Sequence, residues 1–443
     1  MDSILKRFSI KKLYGERDVN IDFSSNIKII VAENGYGKTT VLNTLYAILS
    51  GDLSKLRKID FGSIEIEFLD GDLFIVKNVD LQISIDSFNH NNGIYDHLIR
   101  NIGESMTHDL LETAFTLSKV QLRRSQTLKR VSKKIEIPAS HLANMIEEII
   151  GSEPKDESVN KAKATLEAIC SKFSYNIVYL PTYRRVEQDF KELSLDEDVE
   201  LFDDHSINFG MRDVDRRFKE VTKEIISSSV EWFSKVNGQM LSQLVEGFKV
   251  DDVVKESIDN PEAIKIVLNR IGSNIEESYK AEIIRLVETK EIFTGHDPLV
   301  YFISNLVKVY EQQQSNDKAI QEFSEVCNRY LVDKKIDYNE SNVTIDIVRR
   351  KNGRSVDIEH LSSGEKQIIS LFARLYLKRE DKLAIFFDEP ELSLSIEWQK
   401  ALLPDIINSG KCAFMFTTTH SPFIFENELV ENAVDLGSYI KEL

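Results

Sequence analysis

The chain has 443 residues, 42% of them hydrophobic and 29% charged, and 56 Lys+Arg against 73 Asp+Glu give a net charge of −17. That length suits about three domain-sized units, and the composition excludes a collagen-like or wholly disordered chain. A protein this acidic is a poor non-specific coat for nucleic acid, which leaves only a local basic strip for that purpose. No apolar run approaches the roughly 18 residues of a membrane span. The opening MDSILKRFSIKKLYGERD lacks the apolar core of a secretory signal. Cys170, Cys327 and Cys412 are far apart, odd in number and without a CxxC pair, so they read as reduced thiols of a cytoplasmic protein.

Residues 1–80 are β-rich in pattern: SIKKLY, VNIDF, IKIIVA, SIEIEFL and LFIVKNV, the last two joined by the hairpin signal Asp70-Gly71. Between them TTVLNTLYAILS has helical apolar spacing. Residues 81–175 read as mostly helical, and NIVYLP at 176–181 as a buried strand. The polar run at 190–210, with Asp196, Glu197, Asp198, Glu200, Asp203 and Asp204, reads as an exposed loop and domain boundary rather than a metal site. Residues 211–335 are helical in pattern. An unbroken hairpin there would reach roughly 90 Å at 1.5 Å per residue. Gly238, Gly247, Pro261, Gly272, Gly295 and Pro298 interrupt it, so a compact bundle or a few short helical hairpins is expected. NVTIDIVRR at 342–350 opens a second β-containing segment. The expected organisation is α/β: an N-terminal lobe over 1–190, a helical insertion over 191–340 and a C-terminal lobe over 341–443.

IKIIVAENGYGKTTVLNTLY is a strand, a glycine turn and a helix. Gly35 and Gly37 permit the backbone angles by which successive N–H groups curl around a phosphate, and the helix N-terminus adds donors and a positive dipole end. In the pattern GxxxxGK[ST], Lys38 serves the β/γ-phosphates and the Thr39 hydroxyl ligates Mg²⁺. The first glycine is replaced here by Ala32. LAIFFDEPE at 383–391 is an apolar strand ending in carboxylates. Asp388 is the expected Mg²⁺ partner beside the phosphate turn, and Glu389 the general base for an attacking water. In HLSSGEKQIISLFARLYL, Ser362 and Glu365 form a capping box, and Ile368, Leu371, Phe372 and Leu375 share one face; that helix start is also an anion site. His420 follows the apolar strand FMFTTTHSPF and could hydrogen-bond a γ-phosphate.

In order, AENGYGKTT, LSSGEKQ, FFDEPE and TTHSP resemble the Walker A, signature, Walker B and switch-histidine segments of the ABC-type ATPase family, in its SMC, RecF and OLD-like branch. The resemblance implies an ABC-type ATPase head, a mixed sheet with a phosphate-loop core and an inserted mainly helical subdomain. It also implies ATP and Mg²⁺ as ligands, hydrolysis of ATP, and head dimers that sandwich two ATP molecules. Asn34, Gly35, Gly37, Lys38, Thr39 and Thr40 of one head would hold the nucleotide, with Thr39 and Asp388 on the metal and Glu389 and His420 catalytic. Ser362 and Gly364 of the other head would complete the site. Leu392 to Glu397 resembles the loop that crosses the dimer, with Ser395 where many relatives have histidine. Tyr14 or Phe8 is a candidate for stacking on adenine, beside the reading as a core aromatic.

Lys38 and Gly364 stand 326 residues apart, the interval at which SMC-type heads carry their insertion and transporter ATPases are compact. The OLD family carries a TOPRIM nuclease after its ATPase; 23 residues follow His420, so a nuclease is expected on another chain. VYLPTYRRVEQDF, EPELSLSIEWQ and TTHSPFIFENEL resemble stand-alone ATPase subunits of bacterial anti-phage systems of the PARIS or Septu type. That implies homo-oligomers and a separate nuclease or toxin effector subunit, with a phage-encoded protein as candidate trigger and no membrane partner. Arg184 and Arg185 read as near the nucleotide, at a protein interface, or as a surface pair. The basic stretch QLRRSQTLKRVSKK at 121–134 leaves nucleic-acid contact open beside a solvated helix or docking face. A RecF-like DNA-repair ATPase and a nucleotide-gated scaffold are the alternative functions.

Overall fold

The computed structural model describes residues 4–33, 35–81, 93–116, 122–123, 125–135, 137–151, 157–181, 211–248, 250–258, 260–271, 275–378 and 380–443. The acidic run at 196–204 and Arg184 and Arg185 lie outside them. The chain forms two compact units, Met1–Ile207 with Asp381–Leu443, and Asn208–Glu380.

Among the described residues twelve strands are numbered in chain order: β1 Leu5–Leu13, β2 Arg17–Asp22, β3 Ile27–Val31, β4 Ser63–Phe68, β5 Leu73–Lys77, β6 Asn176–Leu180, β7 Lys334–Asn339, β8 Thr344–Arg349, β9 Leu383–Asp388, β10 Cys412–Thr419, β11 Ala433–Asp435 and β12 Ile440–Glu442. In the first unit the mixture of strand directions is partitioned. One sheet, β12-β2-β1-β4-β5, is antiparallel; the other, β11-β3-β10-β9-β6, is parallel throughout. Every residue of β9 is buried, as a parallel strand covered on both faces requires.

Helix Lys38–Ser50 buries Val41, Leu42, Leu45 and Tyr46 in the core that both sheets share. Tyr46 meets Phe386 of β9 edge-on, with centroids 5.8 Å apart, and Tyr179 of β6 at 4.8 Å. The Tyr179 hydroxyl donates to Asn43 Oδ1 at 2.8 Å. The helix that follows the phosphate turn is thus fastened to two strands of the parallel sheet. Residues 93–151 add a separate small helical core around Leu98, Leu110, Leu128 and Leu142.

Over 211–335, where a compact bundle or a few short helical hairpins is expected, the second unit corrects the short-hairpin alternative. It holds two long helices, Met211–Glu246 and Asp297–Tyr330, each roughly 50 Å at 1.5 Å per residue. The interrupting residues mostly sit where they do no harm. Pro261 and Pro298 occupy first-turn positions, where the missing N–H would be unpaired anyway. Gly247 and Gly295 take φ of 94° and 81° outside the helices, Gly238 lies inside one, and Gly272 lies outside the described residues. Short helices between the long pair gather around Ile264, Leu268, Ile292 and Ile303.

The unit also runs past the boundary expected at 340, through helix Ser363–Leu377 to Glu380. That helix buries Ile368, Leu371, Phe372 and Leu375, with Phe372 5.7 Å from Tyr330 of helix 297–330. Its packing partners are the two long helices. Among the described residues no helix is long and apolar enough to cross a membrane.

Candidate active site

Three neighbouring parallel strands, β3, β10 and β9, end side by side, with Thr419 opposite Val31 and Thr418 opposite Asp388. Ligands of open α/β sheets bind at such carboxyl ends. After β3, Gly35 and Gly37 adopt φ of 88° and 82°. A Cβ built on either meets no atom within 4 Å, so the demand for glycine is conformational rather than steric. Gly37 is the N-cap residue of helix 38–50 and no side chain caps it. The first helical amides, those of Lys38, Thr39 and Thr40, are therefore suited to an anion. Asn34 lies outside the described residues.

The Thr39 hydroxyl stands 3.1 and 3.2 Å from the two carboxylate oxygens of Asp388. Asp388 is only 1% exposed, and Thr418 donates to its Oδ1 at 2.6 Å. Burial of Ile385, Phe386 and Phe387 contributes roughly 1.5–3 kcal/mol each. That burial holds the strand in place, and the hydroxyl donors of Thr39 and Thr418 reduce the cost of drawing Asp388 inside. Two neighbouring oxygens on an octahedral magnesium with bonds of about 2.0–2.1 Å lie roughly 2.9 Å apart. Thr39 and Asp388 are already close to that separation. The donor set fits Mg²⁺, which takes few protein oxygens and fills the rest with water and phosphate. Among the described residues no cluster of three or more His, Cys, Asp or Glu offers a rival metal site.

Lys38 is buried. Its Nζ donates to the carbonyls of Ala32 at 2.7 Å and Glu33 at 3.1 Å, and lies 2.8 Å from Nε2 and 3.2 Å from Nδ1 of His420. His420 Nε2 is in turn 3.4 Å from Glu389 Oε1. Burial lowers the Lys38 ammonium pKa, opposed by Glu389, Asp388 and Glu391. Burial, then the charges of Asp388 and Glu391, push the Glu389 carboxyl above its ordinary value, opposed by His420 and Lys38. A carboxyl raised in this way is suited to accept a proton. Glu389 also adopts φ 50°, with its amide donating to the Thr418 carbonyl at 2.9 Å. A non-glycine residue in that region is strained and held by its surroundings.

The structure brings together Gly35, Gly37, Lys38, Thr39, Thr40, Asp388, Glu389 and His420. Ser362 and Gly364 belong to the helical unit, at the start of helix 363–377. Ser362 is exposed and caps that helix: its hydroxyl accepts from the Glu365 amide at 3.3 Å, and Glu365 accepts from the Ser362 amide at 2.8 Å. Lys334 of β7 grips the same Glu365 carboxylate at 2.9 Å. Gly364 is buried. Phe8, a candidate for adenine, is fully buried in the core, whereas Tyr14 at the β1–β2 turn is 50% exposed. Sequence reading passed over Thr418, Glu391 and Gln399. The run TTTH before His420 and the third acid of DEPE were the available signals.

A model described as AAA ATPase domain (AAA_15) matches residues 4–425. The chain belongs to this AAA ATPase domain family. The fold of this AAA ATPase domain is α/β, and a mainly helical unit interrupts its sequence. It is similar to the Smc head domain of Pyrococcus furiosus, solved with an extended coiled coil and bound to the C-terminal domain of ScpA. That match has 12% identity and a TM-score of 0.35 and covers 99% of this chain and 95% of that chain. It is also similar to the Smc head domain of Pyrococcus yayanosii, solved with a coiled coil and joint, at 14% identity and TM-score 0.32, over 99% and 97% of the two chains. No curated protein matches the chain. Membership of an ATPase domain family implies nucleotide binding, which suits a glycine turn, a buried lysine and a hydroxyl–carboxylate pair at one sheet end.

Proposed function

We propose that this chain binds ATP with Mg²⁺ and hydrolyses it to ADP and phosphate. The observation that carries the reading is the contact of Thr39 with Asp388 at 3.1 Å across 349 residues of sequence, with Lys38, His420 and Glu389 beside it. Thr39 and Asp388 would hold the metal, whose chemistry is to neutralise phosphate charge. Lys38 exchanges its carbonyl partners for the β/γ-phosphates, and the glycine turn donates backbone N–H groups to them. Glu389 orients the attacking water and takes its proton. His420 hydrogen-bonds the transferred phosphate. Ser362 and Gly364 of a second copy close the site, so ATP draws heads together in pairs. Magnesium-dependent phosphate release by the purified chain tests this; a chain that neither binds ATP nor releases phosphate contradicts it.

The resemblance of VYLPTYRRVEQDF, EPELSLSIEWQ and TTHSPFIFENEL to anti-phage ATPase subunits supports the wider role. In that role, a homo-oligomer governs a separate nuclease or toxin effector until a phage-encoded trigger arrives. Sequencing the neighbouring genes tests it: an adjacent TOPRIM or HNH nuclease would support it, and absence of both would favour the repair reading.

One observation favours the RecF-like reading instead. Helix Gln126–Ile135 buries Leu128 and Val131 and exposes Lys129, Arg130, Lys133 and Lys134. On that reading the chain binds duplex DNA in the presence of ATP, and affinity falls steeply with salt. The double change Lys129→Ala, Arg130→Ala then flattens the salt dependence by about two phosphate contacts. Equal binding by both proteins in a salt titration rejects it.

A further inference from the structure

The switch-histidine segment at the end of β10 is held by groups outside the expected catalytic set. Glu391 lies two residues beyond the proposed base. Its Oε1 accepts from the backbone amide of His420 at 2.7 Å, and its Oε2 accepts from the Thr419 hydroxyl at 2.8 Å. Gln399, in the first turn of helix Ile396–Asn408, makes a second tie. Its Nε2 donates to the carbonyls of Leu394 at 3.0 Å and Glu391 at 3.4 Å, while its Oε1 accepts from the Ser421 hydroxyl at 2.6 Å. Thr419 Oγ1 also accepts from the Ser421 amide at 3.0 Å, which closes the turn after the strand.

We infer that Glu391 is the positioning residue of this site: its bidentate hold on Thr419 and His420, backed by the Gln399–Ser421 tie, fixes the His420 ring between Lys38 and Glu389. The inference deepens the ATPase reading and rests on it for its effect on turnover. Three physical points support it. A charged acceptor on a backbone N–H makes one of the stronger hydrogen bonds available. Using both oxygens fixes orientation as well as distance. And the His420 ring sits on a residue 31% exposed at its side chain, where packing alone does not immobilise it. Glu391 makes no hydrogen bond to Lys38, Thr39 or Asp388 among the described residues, so its removal leaves the hydrogen bonds of those three groups in place and acts on them only through its charge.

The test compares wild type with Glu391→Ala, the near-isosteric Glu391→Gln and Gln399→Ala. In nucleotide-free protein, amide exchange over residues 419–421 is expected to quicken by about tenfold in Glu391→Ala. Glu391→Gln, which keeps one acceptor oxygen, and Gln399→Ala should show smaller increases. With Mg²⁺ and ATP, kcat falls by about 10- to 100-fold in Glu391→Ala, while KM and the Kd of a non-hydrolysable analogue stay within about threefold. Glu391→Gln guards against a folding defect, because it preserves the shape of the side chain. Unchanged exchange overturns the tie, and unchanged kcat with faster exchange overturns its role in turnover. A rise in Kd matching the fall in activity assigns Glu391 to binding instead and overturns the inference too. A wild-type chain without ATPase activity sinks the ATPase reading and the turnover role together, while the exchange measurement still decides whether Glu391 holds His420.

Discussion

Glu389→Gln is expected to keep ATP bound and lose its hydrolysis, with phosphate release falling by about 10²- to 10⁴-fold. The substitution preserves side-chain size and leaves Thr39, Asp388 and Lys38 untouched. It removes the proton acceptor, because an amide cannot take a proton from water at neutral pH. It also removes one of three neighbouring negative charges. Asp388 and Glu391 already push the Glu389 carboxyl up, so the repulsion facing a triphosphate declines. Binding should therefore hold or tighten, and ATP should accumulate in a larger oligomer. Single-turnover phosphate release, analogue binding and light scattering check the three parts. Release within about threefold of wild type would place the base elsewhere.

Lys38→Ala should have the opposite signature, a loss of binding. The ammonium is buried and held by two carbonyls and a histidine ring, so it is pre-positioned and gives up little entropy when a phosphate replaces those partners. A hydrogen bond to a charged group is worth roughly 1.5–3 kcal/mol, which is about a 10- to 150-fold rise in Kd. Fluorescence titration with a labelled ATP analogue measures it. The pair of variants also separates two functions. If both abolish biological activity, turnover is essential. If only Lys38→Ala does, the chain is a nucleotide-gated scaffold whose hydrolysis is incidental.

The parts of the site written in local sequence were legible. Gly35, Gly37, Lys38 and Thr39 sit in one turn, and their chemistry follows from residue type and spacing. LAIFFDEPE announced a buried strand ending in acids because six consecutive apolar-to-acid positions admit few other structures. What needed the fold was pairing between distant segments. β10 lies between β3 and β9, which brings Thr418 onto Asp388 and His420 onto Lys38. No local pattern states that order. The division of strands into one antiparallel and one parallel sheet was likewise hidden, since hydrophobic alternation gives burial but not partners. The long helices 211–246 and 297–330 were obscured for another reason. Glycine and proline were counted as breaks, although Pro261, Pro298, Gly247 and Gly295 stand at or beyond helix ends. Glu391 and Gln399 went unread because their partners lie 22 to 29 residues away.

The claim on which the function turns is that each ATP is shared by two copies, one holding it through Lys38 and the other closing it through Ser362 and Gly364. Mixing Lys38→Ala with Ser362→Arg tests it most directly. The second change removes a helix cap at a cost of about 1 kcal/mol and puts a bulky side chain where the partner's phosphate would approach. Each variant alone should be inactive. In a symmetric dimer, half of a random equal mixture is hybrid with one intact site of two, so ATPase activity should return to about a quarter of wild type. A mixture as inactive as its parts, with hybrid dimers shown to form, would contradict the shared site.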